Sequence, residues 1–458
     1  MITYTFHDIK INTMRSLFIV LGLLVFTETP EAREIPRVVA ERVGMSTERL
    51  ERVTQMNQSY VDAGKMVGIL TAVIRDGKLV HQSAAGTKGM NDPRPLAMDD
   101  LFRIYSMTKP ITAVAIMQLY EEGKFHLSDP VAKYIPEFKN MEVVKDGNVV
   151  PAEHVMTMHH LLTHTAGFSY GSVHNADGTF TYSDPADQMF NEANLWQAKD
   201  LDEFAEKLAK VPLKYEPGQQ WHYGIAVDVT GLVVQRISGQ SFDEYLIEHI
   251  FKPLDMYDTF FVVPADKAHR FLPVHYRDIE TGKRHLIPPE GSKDVGYSIF
   301  DTCFAMCDFT NVTLFLGGGG LVSTLRDFIR FAEALRAGGI LDGKRILSPK
   351  TIDYMTMNHL PAVIRGGFNG EPEKYPLLRR HPGVGYGLGF AMILDLPANY
   401  ALGSVGQYYW AGAAGTAFWI DPVEDIVIVS MMQLLNPWFS YRRDVRNAAY
   451  QAITESKE

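Results

Sequence analysis

Apolar positions run in short strand-like stretches near both ends of the chain and fall into helical spacing in between. Ile69-Leu70-Thr71-Ala72-Val73-Ile74 and Lys78-Leu79-Val80-His81 are separated by Asp76-Gly77, which predicts a hairpin over residues 69–85. Residues 415–420 and 426–430 flank Asp421-Pro422-Val423-Glu424-Asp425 and predict a second hairpin, with a helix over about 442–454 behind it. A further strand is predicted over 385–393. In the middle, Leu201, Phe204 and Leu208 share one helical face behind Asp200 and Glu203. Ile225, Val229, Leu232 and Val233 mark a second helix that stops near Gly239, and Ser241 with Glu244 predicts a capping box opening a third. Strands at both ends around a helical middle predict an α/β domain built from both termini. The expected division is a leader over 1–35, an α/β domain from 36–120 and 325–458, and a mostly helical inserted domain over 121–324. Residues 283–316 and 361–385 read as long loops, which in a compact domain often wall a pocket.

Composition alters this picture little. The chain has 458 residues, 46% hydrophobic and 21% charged, enough for a large core. A net charge of −10 argues against a nucleic-acid partner. The apolar run over 17–26, preceded by Lys10 and Arg15, resembles the core of a signal peptide and is short for a membrane span. It points to export, periplasmic or secreted, with the cytoplasm as the alternative. Cys303 and Cys307 have no second cysteine pair to complete a metal site and read as two buried thiols.

Candidate chemistry starts at Ser106-Met107-Thr108-Lys109. No other serine here has a lysine three positions later. Residues three apart share a helix face, so the amine can sit beside the hydroxyl. Serine is a weak nucleophile unless a base adjoins it. The apolar run that follows, with Gly123 beyond it, predicts one buried helix over 106–122; Pro110 is tolerated only in its first turn. Ser106 would then lie where a helix offers free backbone N–H groups.

Three other constellations compete. Gly167-Phe168-Ser169-Tyr170-Gly171 matches the G-x-S-x-G nucleophile elbow, but that elbow needs a strand before it and a helix after it. Here a helical segment precedes and a loop follows. His160 and His164 are spaced for zinc on a helix, yet the glutamate after the first histidine is missing, so a structural pair is expected and no metal. Residues 317–320, four glycines, lack the Lys-Ser/Thr of a phosphate loop and read as a tightly packed turn.

With these segments in view, the chain resembles the serine β-lactamase/penicillin-recognition superfamily, and within it the family VIII carboxylesterases of class C β-lactamase-like fold. Residues 102–112 are similar to its nucleophile segment, and His159-His160-Leu161-Leu162-Thr163-His164-Thr165-Ala166-Gly167 to its H-L-L-T-H-T-x-G signature. Residues 217–223 are similar to the stretch carrying its second motif. The resemblance spans about residues 45–450. It implies a β-lactamase-like antiparallel sheet flanked by helices. It also implies Ser106 as nucleophile, Lys109 as base partner and Tyr223 as proton relay. Trp410-Ala411-Gly412 stands where β-lactamases carry K-T-G, as the W-x-G version does in the esterases. The resemblance then places the oxyanion between the N–H groups of Ser106 and Ala413, with Trp410 and Gly412 at the substrate. Tyr408 and Tyr409 would join Trp410 in the pocket wall.

Two departures from the β-lactamase pattern bear on substrate. A lysine that would bind a carboxylate is replaced by Trp410, and a recognition amide by Ile225. Both favour an uncharged ester. The expectation is a serine carboxylesterase acting on short- to medium-chain esters through a Ser106 acyl-enzyme, with no cofactor. The alternatives are a β-lactamase, D-Ala carboxypeptidase or transesterase of the same fold, or a catalytically silent penicillin-recognition-like binding protein.

Overall fold

The computed structural model describes residues 33–171, 173–174, 180–181, 184–277, 283–286, 309–360, 364, 383–435 and 440–457. Residues 1–32 of the leader, Cys303 and Cys307, and most of the two long loops lie outside them.

An eight-stranded antiparallel sheet is assembled from both ends of the chain. Its strands are β1 (Gly68–Arg75), β2 (Lys78–Gly89), β3 (Asp92–Pro95), β4 (Val384–Tyr386), β5 (Ala391–Ile393), β6 (Tyr408–Ala411), β7 (Ala417–Asp421) and β8 (Ile426–Met431). Their order is β4-β5-β6-β7-β8-β1-β2-β3, so the chain leaves one edge after Pro95 and re-enters at the other with Val384. Both predicted hairpins form. Asp76 and Gly77 take the left-handed conformation that a tight turn between twisted strands requires, and Asp425 does so in the second. Leu70 pairs with Met431 on one side and Ala84 on the other, which fixes the register at the sheet centre.

Alternate side chains divide between two covered faces. Ile69, Val73, Trp419 and Ile428 pack with α1 (Thr47–Asp62) and the C-terminal helix Tyr441–Tyr450. Leu70, Ala72, Phe418 and Val429 join a second core that includes α2 (Thr108–Glu121) and the amphipathic helix Leu325–Arg336. That core continues without a break into the inserted segment, through Phe204, Leu232 and Phe242. Helix Leu201–Leu208 is capped by the Asp200 side chain, and Ala226–Ser238 ends on Gly239 in the left-handed conformation, as the sequence predicts.

Four expectations are corrected. Segment 385–393 is two strands, β4 and β5, because Gly389 at φ 90° turns the chain between them. Residues 284–286 form a short strand, Arg284–Leu286, paired with His275–Arg277. Ser241 precedes helix Phe242–Leu246 but its side chain makes no cap hydrogen bond. The helix after the nucleophile segment begins as a 3-10 turn, Tyr105–Met107, and becomes α-helical at Thr108. No helix among the described residues is long and apolar enough to cross a membrane.

His275 ties a satellite three-stranded sheet to β2. Its Nε2 accepts the Met90 N–H at 3.1 Å, so Nδ1–H donates to the Gln433 carbonyl at 3.2 Å. Burial holds its pKa down to about 4, below an ordinary value of 6.5. The neutral ring therefore stabilises the fold fully above about pH 6.5, and that contribution is lost as pH falls towards 4. His275→Gln keeps a donor and an acceptor but does not titrate. The stability gap between parent and variant, from urea unfolding, should be widest at pH 7 and narrow towards pH 4.5; a constant gap would contradict the neutral, buried ring.

Candidate active site

Ser106 sits at a sharp change of direction. Phe102–Arg103 pairs with Val322–Ser323, and the Ile104 N–H continues that pairing to the Leu321 carbonyl. Tyr105, which opens the 3-10 turn, adopts φ 45°, a left-handed conformation costly for a bulky residue. Tyr105 is fully buried, so packing holds the strained turn and Ser106 with it.

Lys109 lies one turn on, in the first turn of α2, with none of its surface exposed. Pro110 follows in the same turn, where its missing N–H does no harm. An ammonium has three N–H donors, and a buried one needs acceptors for them. Lys109 Nζ donates to Ser106 Oγ at 3.1 Å, to Tyr170 OH at 2.8 Å and to the Gly318 carbonyl at 2.6 Å. It also lies 4.7 Å from the centre of the Tyr223 ring, a favourable cation–π distance.

The sequence-predicted trio is thus brought together, with Tyr223 meeting the lysine through its ring. Tyr170 is the member that sequence reasoning missed. It stands inside the G-x-S-x-G segment, where the serine drew the reading. Ser169 instead donates to Asp187 at 2.7 Å and accepts the Gly171 N–H at 3.0 Å, a bracing role beside Tyr170. Asp187 is in turn bound by Lys214. The glycine run supplies the other surprise: it is a close-packed turn, as expected, but its Gly318 carbonyl also faces the lysine. A lysine placed beside a serine at a core-helix start was the one available signal that further acceptors had to converge there.

The H-L-L-T-H-T segment buttresses Tyr223. The His222 N–H donates to the His164 carbonyl at 2.9 Å, and the Gly218 N–H to that of Thr165 at 2.8 Å. The His164 ring lies 4.8 Å from that of Tyr223 and is fully buried. Burial, then the charge of Lys109, keeps its pKa well below the usual histidine range. His160 is engaged elsewhere, its Nδ1 accepting the Thr157 N–H at 3.2 Å within a capping box.

The strand end at Trp410 closes the site. Trp410 lies 5.5 Å from Tyr223 and 5.3 Å from Tyr386, ring to ring. Tyr408 does not join it in a pocket wall: it is buried and packs edge-on to Phe390 at 5.3 Å. Tyr409 points to the opposite face of β6, as alternation demands. Beyond the strand, the Gly412 N–H donates to the Thr416 carbonyl at 2.8 Å, and Thr416 Oγ1 donates to the Ile104 carbonyl at 3.3 Å. The loop carrying Ala413 is thereby docked two residues from Ser106. Arg442 donates to the Gly412 carbonyl at 2.8 Å. Chemically, the arrangement offers a hydroxyl beside a primary amine, two phenols and a docked loop next to the start of a helix.

Residues 53–453 match the Beta-lactamase family. An uncharacterised Mycobacterium tuberculosis protein, MT1414, is 32% identical over 384 residues, 81% of this chain and 87% of its own length. Esterase EstB of Burkholderia gladioli is 29% identical over 78% of this chain and 83% of EstB. Among solved structures, EstCE1, described as a hydrolase with promiscuous acyltransferase activity, shares the fold. Its TM-score is 0.70 at 23% identity, over 88% of this chain and 99% of that one.

A Cβ on Gly412 would overlap Thr416 Oγ1 and the Ile104 carbonyl. Gly412→Ala should therefore force the loop off the nucleophile segment and lower stability by about 1–3 kcal/mol. Thermal unfolding checks this, and an unchanged Tm would show that the loop is not docked there.

Proposed function

The chain belongs to the β-lactamase family, and on that premise we propose that it is a serine carboxylesterase working through an acyl-enzyme on Ser106. The observation that carries this reading is the fully buried Lys109, with Nζ 3.1 Å from Ser106 Oγ. In its neutral form that amine accepts the serine proton as Oγ attacks the ester carbonyl carbon. The oxyanion that forms takes hydrogen bonds from the N–H groups of Ser106 and Ala413, a donor pair worth several kcal/mol in such sites. Ser106 suits this because the first N–H groups of a helix have no partner within it. The intermediate collapses, the C–O bond to the alcohol breaks, and Tyr223 relays the proton to the leaving oxygen. Water then attacks the acyl-enzyme by the same route, returning the proton to Ser106. Tyr170, within hydrogen-bond reach of Nζ, holds the amine on the serine side.

The walls support the substrate class. Trp410 presents a ring, not a cation, beside Tyr223, and Tyr386 packs behind it. Ile225 brings an aliphatic side chain to the position where an amide would recognise a peptide or β-lactam. Such a surface suits an uncharged acyl group of short to medium length. The relative named Esterase EstB, matching over most of both chains, supports an ester in preference to a β-lactam.

Ser106→Ala should reduce hydrolysis of a short-chain p-nitrophenyl ester to background, while Ser169→Ala keeps most of it; the reverse would overturn the assignment. The parent should turn over the ester faster than nitrocefin. Tyr170→Phe removes one hydrogen bond to a charged group and should lower kcat about 10- to 100-fold with KM little changed. A purely KM effect would place Tyr170 in substrate binding instead.

A further inference from the structure

Behind Lys109, on the side away from Ser106, the glycine turn connects the ammonium to a carboxylate. The Gly318 carbonyl accepts from Lys109 Nζ at 2.6 Å, and the Gly318 N–H donates to Asp228 Oδ1 at 2.7 Å. Asp228 lies in the first turn of helix Ala226–Ser238 and has no exposed surface. Its second oxygen, Oδ2, is buried with no hydrogen-bond partner. The peptide between Gly317 and Gly318 is held from its other end too, because Thr112 Oγ1 donates to the Gly317 carbonyl at 2.7 Å. Thr108 Oγ1 accepts the Leu321 N–H at 3.2 Å. A Cβ at position 318 would fall on the Asp228 carboxylate, so glycine lets the carboxylate sit against this backbone.

A buried carboxylate with one unpaired oxygen is costly unless a positive charge lies near. We infer that Asp228 is a positioning residue for Lys109: through Gly318 it fixes the carbonyl that aims the amine at Ser106, and its buried negative charge offsets that of the ammonium. The inference rests on the reading of Lys109 as base. The titratable groups facing the pair are Tyr170 and Tyr223, whose phenols flank the ammonium, and His164, which burial keeps neutral. Burial raises the Asp228 pKa to about 6, and the charge of Lys109 works against that rise.

Asp228→Asn keeps an oxygen for the Gly318 N–H and removes the charge. In the full-length protein, kcat per folded enzyme for a p-nitrophenyl ester should fall about tenfold with KM unchanged. A structural role alone would lower the folded fraction and leave kcat per folded enzyme unchanged, and an unchanged kcat overturns the proposal. A second arm needs no activity. With Lys109 replaced by Met, the Asp228 charge is left uncompensated, so adding Asp228→Asn to Lys109→Met should raise the urea midpoint at pH 7.5. A lower midpoint, or a double variant that does not fold, overturns the proposal. The reading of Ser106 as nucleophile fails separately, by retained activity in Ser106→Ala.

Discussion

One buried ammonium sets the terms of this structure. Taking the charge of Lys109 out of water costs several kcal/mol unless every N–H finds an acceptor. The fold supplies three: a hydroxyl, a phenol and a backbone carbonyl. They come from segments far apart in the chain, at Ser106, Tyr170 and Gly318. Each is held by its own local device: the left-handed Tyr105, the Ser169–Asp187 brace, and the glycine turn pinned by Thr112 and Asp228. A shift in any one leaves a buried donor without a partner, so the site and the core around it are coupled.

The architecture explains how such segments meet. The sheet closes from both termini, which brings β6 and the loop at Gly412 against the residue two before the nucleophile. α2 and helix Ala226–Ser238 share the core below, so their first turns place Lys109 and Asp228 on either side of the Gly318 backbone. Above it, Tyr223, Trp410 and Tyr386 form a wall of rings. The amine is thus enclosed by polar contacts below and aromatic surface above, while Ser106 marks the boundary between them.

Much of this was legible in the chain because local chemistry decided it. Asp76-Gly77 and 421–425 are turn-formers between apolar runs, so both hairpins could be read directly. The Ser106–Lys109 spacing and the start of a core helix marked the nucleophile. Other features depended on tertiary contact and left no local mark. Tyr170 is a tyrosine among many until its OH meets Lys109. Gly318 looked like a turn because nothing in four glycines reveals which carbonyl faces a charge. Segment 385–393 read as one strand because its apolar residues do not show the fold-back at Gly389. In sequence Tyr408 and Tyr409 continue the wall at Trp410, but the two-residue period sends one to the opposite face and packing buries the other against Phe390.

The central claim is that Lys109 activates Ser106. The rate of covalent labelling by a fluorophosphonate, with the modified peptide identified by mass spectrometry, tests it most directly when parent and Lys109→Met are compared. A single adduct on Ser106, formed at least about a hundredfold more slowly in the variant, is the predicted result. Equal rates in the two proteins, or an adduct on Ser169, would contradict the account.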